Sequence, residues 1–368
     1  MNRSHEPLVH IAKRDGLVWW KNWIIRLISV VLALIVSALF IYSISKLNPL
    51  KVYGAMWNGA FGTSKRAWVT VRDTMLLLCI GIGLAPAFKM RFWNIGAEGQ
   101  ILVGGCATAA VMIYCGNTMP TWLMLVVMFA ASCVAGAIWG LVPAVFKAHW
   151  NTNETLFTLM MNYIAIQLTN FLVSKWESPP GSNAVGVINL NTQSGWFPAI
   201  AGKQYLLNVI IVLVLAVAMY IYLRSSKQGY EIAVVGESEN TARYAGISVK
   251  KVIIRTMAIS GAICGVAGFI NVAGAAHTIS TEVAGGRGFT AIIVAWLAQF
   301  NSFVMILIAA LIIFLQKGAI QIASQFNLND YASNVVTGII LFFILGSEFF
   351  INYSVRFRGA KNGKEAGK

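Results

Sequence analysis

Ten apolar runs, at about 24–44, 74–88, 97–115, 121–146, 155–174, 205–223, 253–273, 289–300, 303–323 and 332–353, alternate with short polar stretches along the chain. A helix crosses a hydrocarbon layer of ~30 Å with about 20 residues, so the pattern predicts an all-α polytopic membrane protein of about ten transmembrane helices. Two runs fall short of a crossing. At 1.5 Å per residue the run 74–88 reaches only ~22 Å, and 289–300 reaches less. Each borders a glycine-rich polar stretch: Asn94-Ile95-Gly96-Ala97-Glu98-Gly99-Gln100 in one half, Gly285-Gly286-Arg287-Gly288-Phe289-Thr290 in the other. Paired short or broken helices of this kind point to an internal repeat enclosing a substrate path. Tight loops between helices are the competing reading.

Charge placement orients the chain. With both termini on the inner side, nineteen of the 28 Lys and Arg residues fall on inner segments, among them Lys13, Arg14, Lys89, Arg91, Lys147, Arg224 and Arg243. The positive-inside rule therefore places both termini in the cytoplasm of a cell membrane. The expected organisation is a cytoplasmic N-terminal segment 1–23, a membrane domain 24–353 and a basic cytoplasmic tail 354–368, with its last dozen residues disordered. The first run lacks a small-residue cleavage site and is too long for a signal core, so it reads as a retained helix.

Two loops are long. The inner loop 224–252 holds signals for a short helix: Ser238 as N-cap, Glu239 in the first turn and Gly246 at the position just past the end. Ser248 is placed to cap the next helix from Val249. The short helix would present Ala242, Tyr244 and Ala245 to a partner groove, or serve as an ordinary connector. The outer loop 175–204, with Pro179-Pro180-Gly181 and Trp196-Phe197-Pro198, is a gate, a docking surface or a connector.

Composition agrees with the bilayer. Hydrophobic residues make up 58% and charged residues 11%, with mean hydropathy +0.70, far from the roughly one-quarter charged of a soluble domain. The net charge of +15 follows from loop topology and needs no nucleic-acid partner. The five cysteines lie in or beside apolar runs without CxxC spacing, which predicts neither a disulfide framework nor a metal site.

The chain has no GxxxxGK[ST] phosphate loop, no HExxH and no GxSxG, so neither ATP hydrolysis nor an intramembrane hydrolase is supported. The candidate chemistry is polar groups at membrane depth: Asn94, Glu98, Gln100, Asn162 and Thr290, with Gln299 beside the last. A carboxylate in the core costs at least ~2.5–3.5 kcal/mol unless it faces a bundle interior or wet cavity. Glu98 therefore has two readings, a cavity residue or a helix-start carboxylate in interfacial water. Asn162 can bond a ligand or another helix. Few acids and several aromatic rings (Trp57, Phe92, Trp93, Trp296) suit a neutral polar solute.

Phe92-Trp93-Asn94-Ile95-Gly96-Ala97-Glu98-Gly99-Gln100 resembles the FNIGxEGQ signature of nucleoside-type permeases of ATP-binding-cassette importers, in the ribose/simple-sugar permease superfamily. Trp139-Gly140-Leu141-Val142-Pro143 and Asn153–Ala165 resemble that family's second block. Gly229–Gly236 with Ala242–Ile247 resembles its ATPase-contacting loop, and Gly286–Ala295 its last block. Trp93 splits the first signature, and Thr290 stands where many relatives carry an acid. The resemblance implies an importer built from two permease chains, a cytoplasmic ATPase that binds ATP and Mg, and an extracytoplasmic binding protein or lipoprotein. It implies no cofactor on this chain. Nucleosides are the implied substrate, with a simple sugar such as ribose as the alternative. Glu231, Glu239, Ala242, Tyr244, Ala245 and Gly246 become the ATPase-coupling residues. A carrier or facilitator working without an ATPase is the rival of another class.

Overall fold

The structure is a computed structural model that describes residues 9–13, 19–46, 48–116, 118–327 and 330–357. Strand β1 (Val9–Lys13) precedes helices α1 (Trp19–Ser45), α2 (Pro49–Phe61), α3 (Ser64–Lys89), α4 (Ala97–Cys115), α5 (Thr121–Trp150), α6 (Glu154–Lys175) and α7 (Leu206–Ser225). Then come α8 (Lys227–Glu237), α9 (Glu239–Tyr244) and α10 (Val249–Asn271), which runs on into a π turn at Val272–Ala276. A 3₁₀ turn at Thr281–Val283 leads to α11 (Arg287–Leu297), α12 (Ser302–Phe326), α13 (Asp330–Asn352) and strand β2 (Tyr353–Phe357).

Two compact units divide the chain. The first takes in Met1–Thr63 and Phe314–Lys368. In it α1 packs along α13, and β1 pairs antiparallel with β2, Val9 opposite Phe357 and Lys13 opposite Tyr353. The expected tail thus begins with four residues of strand, and residues 358–368 lie outside the described residues. The α1–α13 pairing also brings the residues flanking the first and last helices to one end of this unit.

The second unit, Ser64–Ile313, is built around α10, which packs against α3, α4 and α5. Its sequence explains the central place. Gly261 and Gly265 stand one turn apart and meet Gly136 and Ser132 of α5. A Cβ on Gly261 would lie 2.3 Å from the Gly136 carbonyl oxygen, and one on Gly265 2.2 Å from that of Ser132. In lipid no hydrophobic effect drives helices together, so such small-residue contacts supply the attraction by close van der Waals approach.

One expectation is met in part and another needs correction. Among the described residues seven helices are long and apolar enough to cross a membrane: α3, α4, α5, α6, α7, α10 with its π turn, and α12. The expected count of about ten is not reached: the run 289–300 is the 11-residue α11, and α1 has a shorter apolar stretch, Leu27–Ser43. Nor is 74–88 a short segment. It is the second half of the 26-residue α3, buried at every residue from Asp73 to Phe88. The charges that seemed to end it are neutralised locally: Arg72 pairs with Asp73 at 2.8 Å and its guanidinium lies 5.0 Å from the Tyr205 ring. The break falls after α3, at residues 90–96. Helices α2 and α8 were not expected at all.

Gly261→Val should lower the thermal midpoint of the purified protein, since overpacking a closed contact costs about 1–3 kcal/mol. The same change at Gly54, whose Cβ would meet nothing within 4 Å, should leave the midpoint closer to that of the parent protein.

Candidate translocation and coupling sites

The segment after α3 turns back into the bundle. Arg91, at φ +59°, reverses the chain, and Phe92 returns its N–H to the Ala87 carbonyl. Asn94 then meets a polar network. Its Oδ1 accepts from Gly96 N–H (3.1 Å) and Gln100 Nε2 (3.3 Å), and its Nδ2 donates to Gln100 Oε1 (3.3 Å) and Ser260 Oγ (3.2 Å). Asn162 of α6 donates to the Ile95 carbonyl at 2.9 Å and accepts from Gly99 N–H at 2.8 Å. The Thr158 hydroxyl accepts from Ile95 N–H at 3.2 Å. A loop inside a bilayer needs its backbone groups bonded, and these side chains bond it.

The depth of this network follows from helix geometry. Ser260 comes eleven residues after the start of α10 and Asn162 eight after the start of α6, so at 1.5 Å per residue they stand ~16 and ~12 Å along their helices. That is near the middle of a ~30 Å core. Helix α4 therefore starts at mid-depth, and so does α11, because Glu98 in the first turn of α4 holds its N-terminus. Glu98 Oε1 accepts from Gly286 N–H at 2.6 Å and Oε2 from Gly288 N–H at 2.8 Å. The positive ends of both helices converge on one carboxylate. Gly286 sits at φ +73°, and a Cβ on Gly288 would come within 2.7 Å of Glu98 N, so both glycines are required by the approach.

The arrangement answers the two readings of Glu98 with a third: a carboxylate with 7% exposure, bonded to backbone, away from interfacial water. Asn94, Gln100 and Asn162 are also buried. The structure brings these four residues together as the lattice that positions α4 and α11. It does not bring Thr290 to them; that half-buried hydroxyl bonds the Gly286 carbonyl one turn back at 3.2 Å. Ser260 and Thr158 complete the network and went unnoticed in the sequence, where single hydroxyls in apolar helices carry little signal.

The inner loop is folded as its caps require. Ser238 Oγ accepts from Thr241 N–H at 3.3 Å, and Gly246 takes φ +76°. Ile247 N–H bonds the Ala242 carbonyl (2.9 Å) and Gly246 N–H that of Arg243 (3.0 Å), the paired bonds of a Schellman ending. Tyr244 is 94% exposed and Ala245 and Gly246 are exposed beside it. Ala242 is not presented, as expected from the sequence, but buried at 0% exposure: it is the one small residue on the inward side of a two-turn helix. Glu239 pairs with Arg243 at 3.3 Å, an exposed pair that contributes little to stability. Glu231 lies on α8 and binds Arg255 of α10 at 2.8 Å. Gly236 of α8 presses on the Lys89 carbonyl, 2.2 Å from where its Cβ would be. Ser248 is the N-cap residue of α10, though its side chain makes no capping bond.

On the opposite side of this unit the loop 175–204 is bound down rather than free. Ile188 N–H bonds the His277 carbonyl at 2.8 Å and Phe197 N–H that of Ala273 at 3.1 Å. The Trp196 ring stacks on His277 with centroids 3.8 Å apart. Burial, with Arg72 nearby, holds this imidazole below its ordinary range, which keeps the stack neutral at pH 7.

A bundle of apolar helices with two helix starts at mid-depth and a capped helix at one face has the architecture of a membrane transport subunit. Residues 69–345 match the family described as "Branched-chain amino acid transport system / permease component", and the chain belongs to that family. It is similar to the guanosine ABC transporter permease protein NupP of Bacillus subtilis, with 32% identity over 91% of this chain and 94% of that one. It is similar also to the nucleoside ABC transporter permease protein NupB of Lactococcus lactis (27%; 87% and 90%). The glucose ABC transporter permease protein TsgB13 of Haloferax volcanii matches at 27% over 94% and 93%. The chain is thus a multi-pass permease subunit of an ATP-binding-cassette transporter, with ATP hydrolysis the work of a separate ATPase. This membership displaces the rival reading of a carrier that works without one.

Glu98→Gln should disturb this site nearly as much as Glu98→Ala. An amide nitrogen would face the N–H of Gly286 or Gly288, and each charge-assisted bond lost is worth ~1.5–3 kcal/mol. The expected readout is a lower thermal midpoint together with faster proteolysis in the segment 277–286.

Proposed function

We propose that this permease imports nucleosides, and that it does so in a complex of two permease chains, a cytoplasmic ATPase carrying ATP and Mg, and an extracytoplasmic binding protein or lipoprotein. The observation that carries the substrate class is likeness: relatives named for guanosine and nucleoside transport align over almost the whole chain. A mid-depth lattice of amides and hydroxyls, whose one carboxylate is taken up by backbone N–H groups, is consistent with a neutral solute. In this reading the chain itself binds no cofactor, both termini are cytoplasmic, and the membrane is the cell membrane. The similarity to a glucose permease favours a second reading, the same role for a simple sugar.

Coupling in this proposal runs through α9. Closure of the ATPase would press on Tyr244, Ala245 and Gly246, with Glu239 at the start of the helix and Ala242 as its seat. Displacement would pass through α8 by two routes: the Glu231–Arg255 ion pair to α10, and Gly236 on the Lys89 carbonyl to the loop bearing Asn94. Since α10 carries Ser260, both routes end at the network around Asn94, Glu98, Gln100 and Asn162, where α4 and α11 begin. A packed lattice switches between discrete arrangements, which suits alternating access. Thr290, one turn into α11, would move with that helix.

Gly246→Val should uncouple the complex: a β-branched residue is strained at φ +76°, while the core that holds the fold is elsewhere. Uptake should fall sharply with the membrane level of the protein unchanged, and normal uptake would sink the coupling assignment. For the substrate, a strain lacking this chain should lose accumulation of labelled nucleosides and keep that of ribose and glucose; the reverse result selects the sugar reading.

A further inference from the structure

Helix α6 carries a face that lipid covers poorly. Tyr163, Gln167, Asn170 and Ser174 follow at intervals of four, three and four residues, so they form one stripe along the helix. All four are exposed, Tyr163 at 64%. Gln167 stands thirteen residues beyond Glu154, ~20 Å along the axis, well inside the hydrocarbon layer. The neighbouring stripe of Met160, Ile164 and Phe171 is exposed and apolar, as a lipid-facing surface should be. In their middle turns α5 and α7 expose only apolar side chains, such as Val134 and Ile138 on the one and Val214 and Val217 on the other. The polar stripe is therefore a local departure with its own cause.

The stripe also has unsatisfied hydrogen-bonding capacity. Asn170 Nδ2 donates to Gln167 Oε1 at 3.2 Å, which locks the two amides side by side. Gln167 Nε2 and Asn170 Oδ1 have no partner among the described residues, nor does the Tyr163 hydroxyl. The result is a donor beside an acceptor, with a phenol ring one turn away and no charge. Unsatisfied amides do not face hydrocarbon, so water, solute or another chain must lie against them.

We propose that the Tyr163–Gln167–Asn170 stripe faces the aqueous passage and reads the solute directly, and that the solute it suits is a purine or pyrimidine nucleoside. A nucleobase edge presents donors and acceptors that an amide pair matches, and its ring can lie on the face of Tyr163. A contact between helices of two permease chains is the alternative occupant; Gln and Asn can bond across such a contact, but close approach of two backbones favours small residues, and the exposed Tyr163 ring holds them apart. The solute class rests on the nucleoside reading given above; the exposure of the stripe to water does not.

The test uses the full transporter in membranes, with Cys115 and Cys133 replaced by Ala. Single cysteines are placed at Tyr163, Gln167 and Asn170, and at Val217 of α7 as a lipid-facing control. The probe is a membrane-impermeant methanethiosulfonate. Thiols on the stripe should react at least about tenfold faster than the one at position 217, and guanosine should slow them. Gln167→Leu should raise the KM for guanosine about tenfold at unchanged membrane level, the effect of losing one hydrogen bond of roughly 1.4 kcal/mol. Reaction no faster than at Val217, or disulfides between two copies at 167 or 170 that guanosine does not prevent, would overturn the passage assignment. Fast reaction slowed by ribose and indifferent to guanosine would leave the stripe in the passage and overturn the nucleoside class.

Discussion

A carboxylate at membrane depth must be compensated, and the hydrogen-bond partners of Glu98 are peptide N–H groups rather than a basic side chain. Its burial costs at least ~2.5–3.5 kcal/mol, and two charge-assisted bonds at ~1.5–3 kcal/mol each offset a comparable amount. Much follows from this choice of partner. The N–H groups of Gly286 and Gly288 belong to a helix start, where unpaired donors are waiting, so the bonds fix where α11 begins. Glu98 itself sits in the first turn of α4. One side chain thus sets the depth of two helices and makes the mid-depth region polar without a free charge.

Once α4 starts at mid-depth, the chain between Met90 and Gly96 has to lie inside the bundle, and its backbone needs partners there. Asn94, Thr158 and Asn162 supply them, and Gln100 and Ser260 hold the Asn94 amide in place. That is why these side chains are buried and bonded to backbone or to one another. The same requirement explains the glycines of α10 and α5: a re-entrant loop fits only if the helices around it approach closely elsewhere, and contacts at Gly136 and Gly261 allow it. The inner helix α9 is joined to this assembly through α8, so its exposed end is the point at which an external push would have leverage.

Hydropathy located most helices in the sequence to within a few residues, because a segment facing lipid on one side must be apolar over its whole length. The failures have a common origin in averaging. Helix α3 was cut at Thr74 because Lys65, Arg66, Arg72 and Asp73 lower the local mean, although the Arg72–Asp73 pair cancels within one turn. Helices α2 and α8 are short and amphipathic and leave no long apolar run. The caps of α9 were legible, since Ser238, Glu239 and Gly246 act through local geometry alone. The inward turn of Ala242 was not, because on a helix of six residues any face can be the buried one.

The site residues follow the same division. Glycine-rich polar stretches announced a special place, and the place is where two helices begin. Their role could not be read, because polar side chains that bond one another and polar side chains that await a ligand have identical sequence signatures. Asn94 and Gln167 illustrate the difference. Both are amides at membrane depth, yet Asn94 has four bonds to protein groups and Gln167 has one to a neighbouring amide on the exposed side of α6. A mean over the run 155–174 hides the second, since Tyr163, Gln167 and Asn170 are diluted by the Ile and Leu residues around the same helix. Only the three-dimensional face separates lattice from lining, and on that face the residues still free to bond a solute are those of α6.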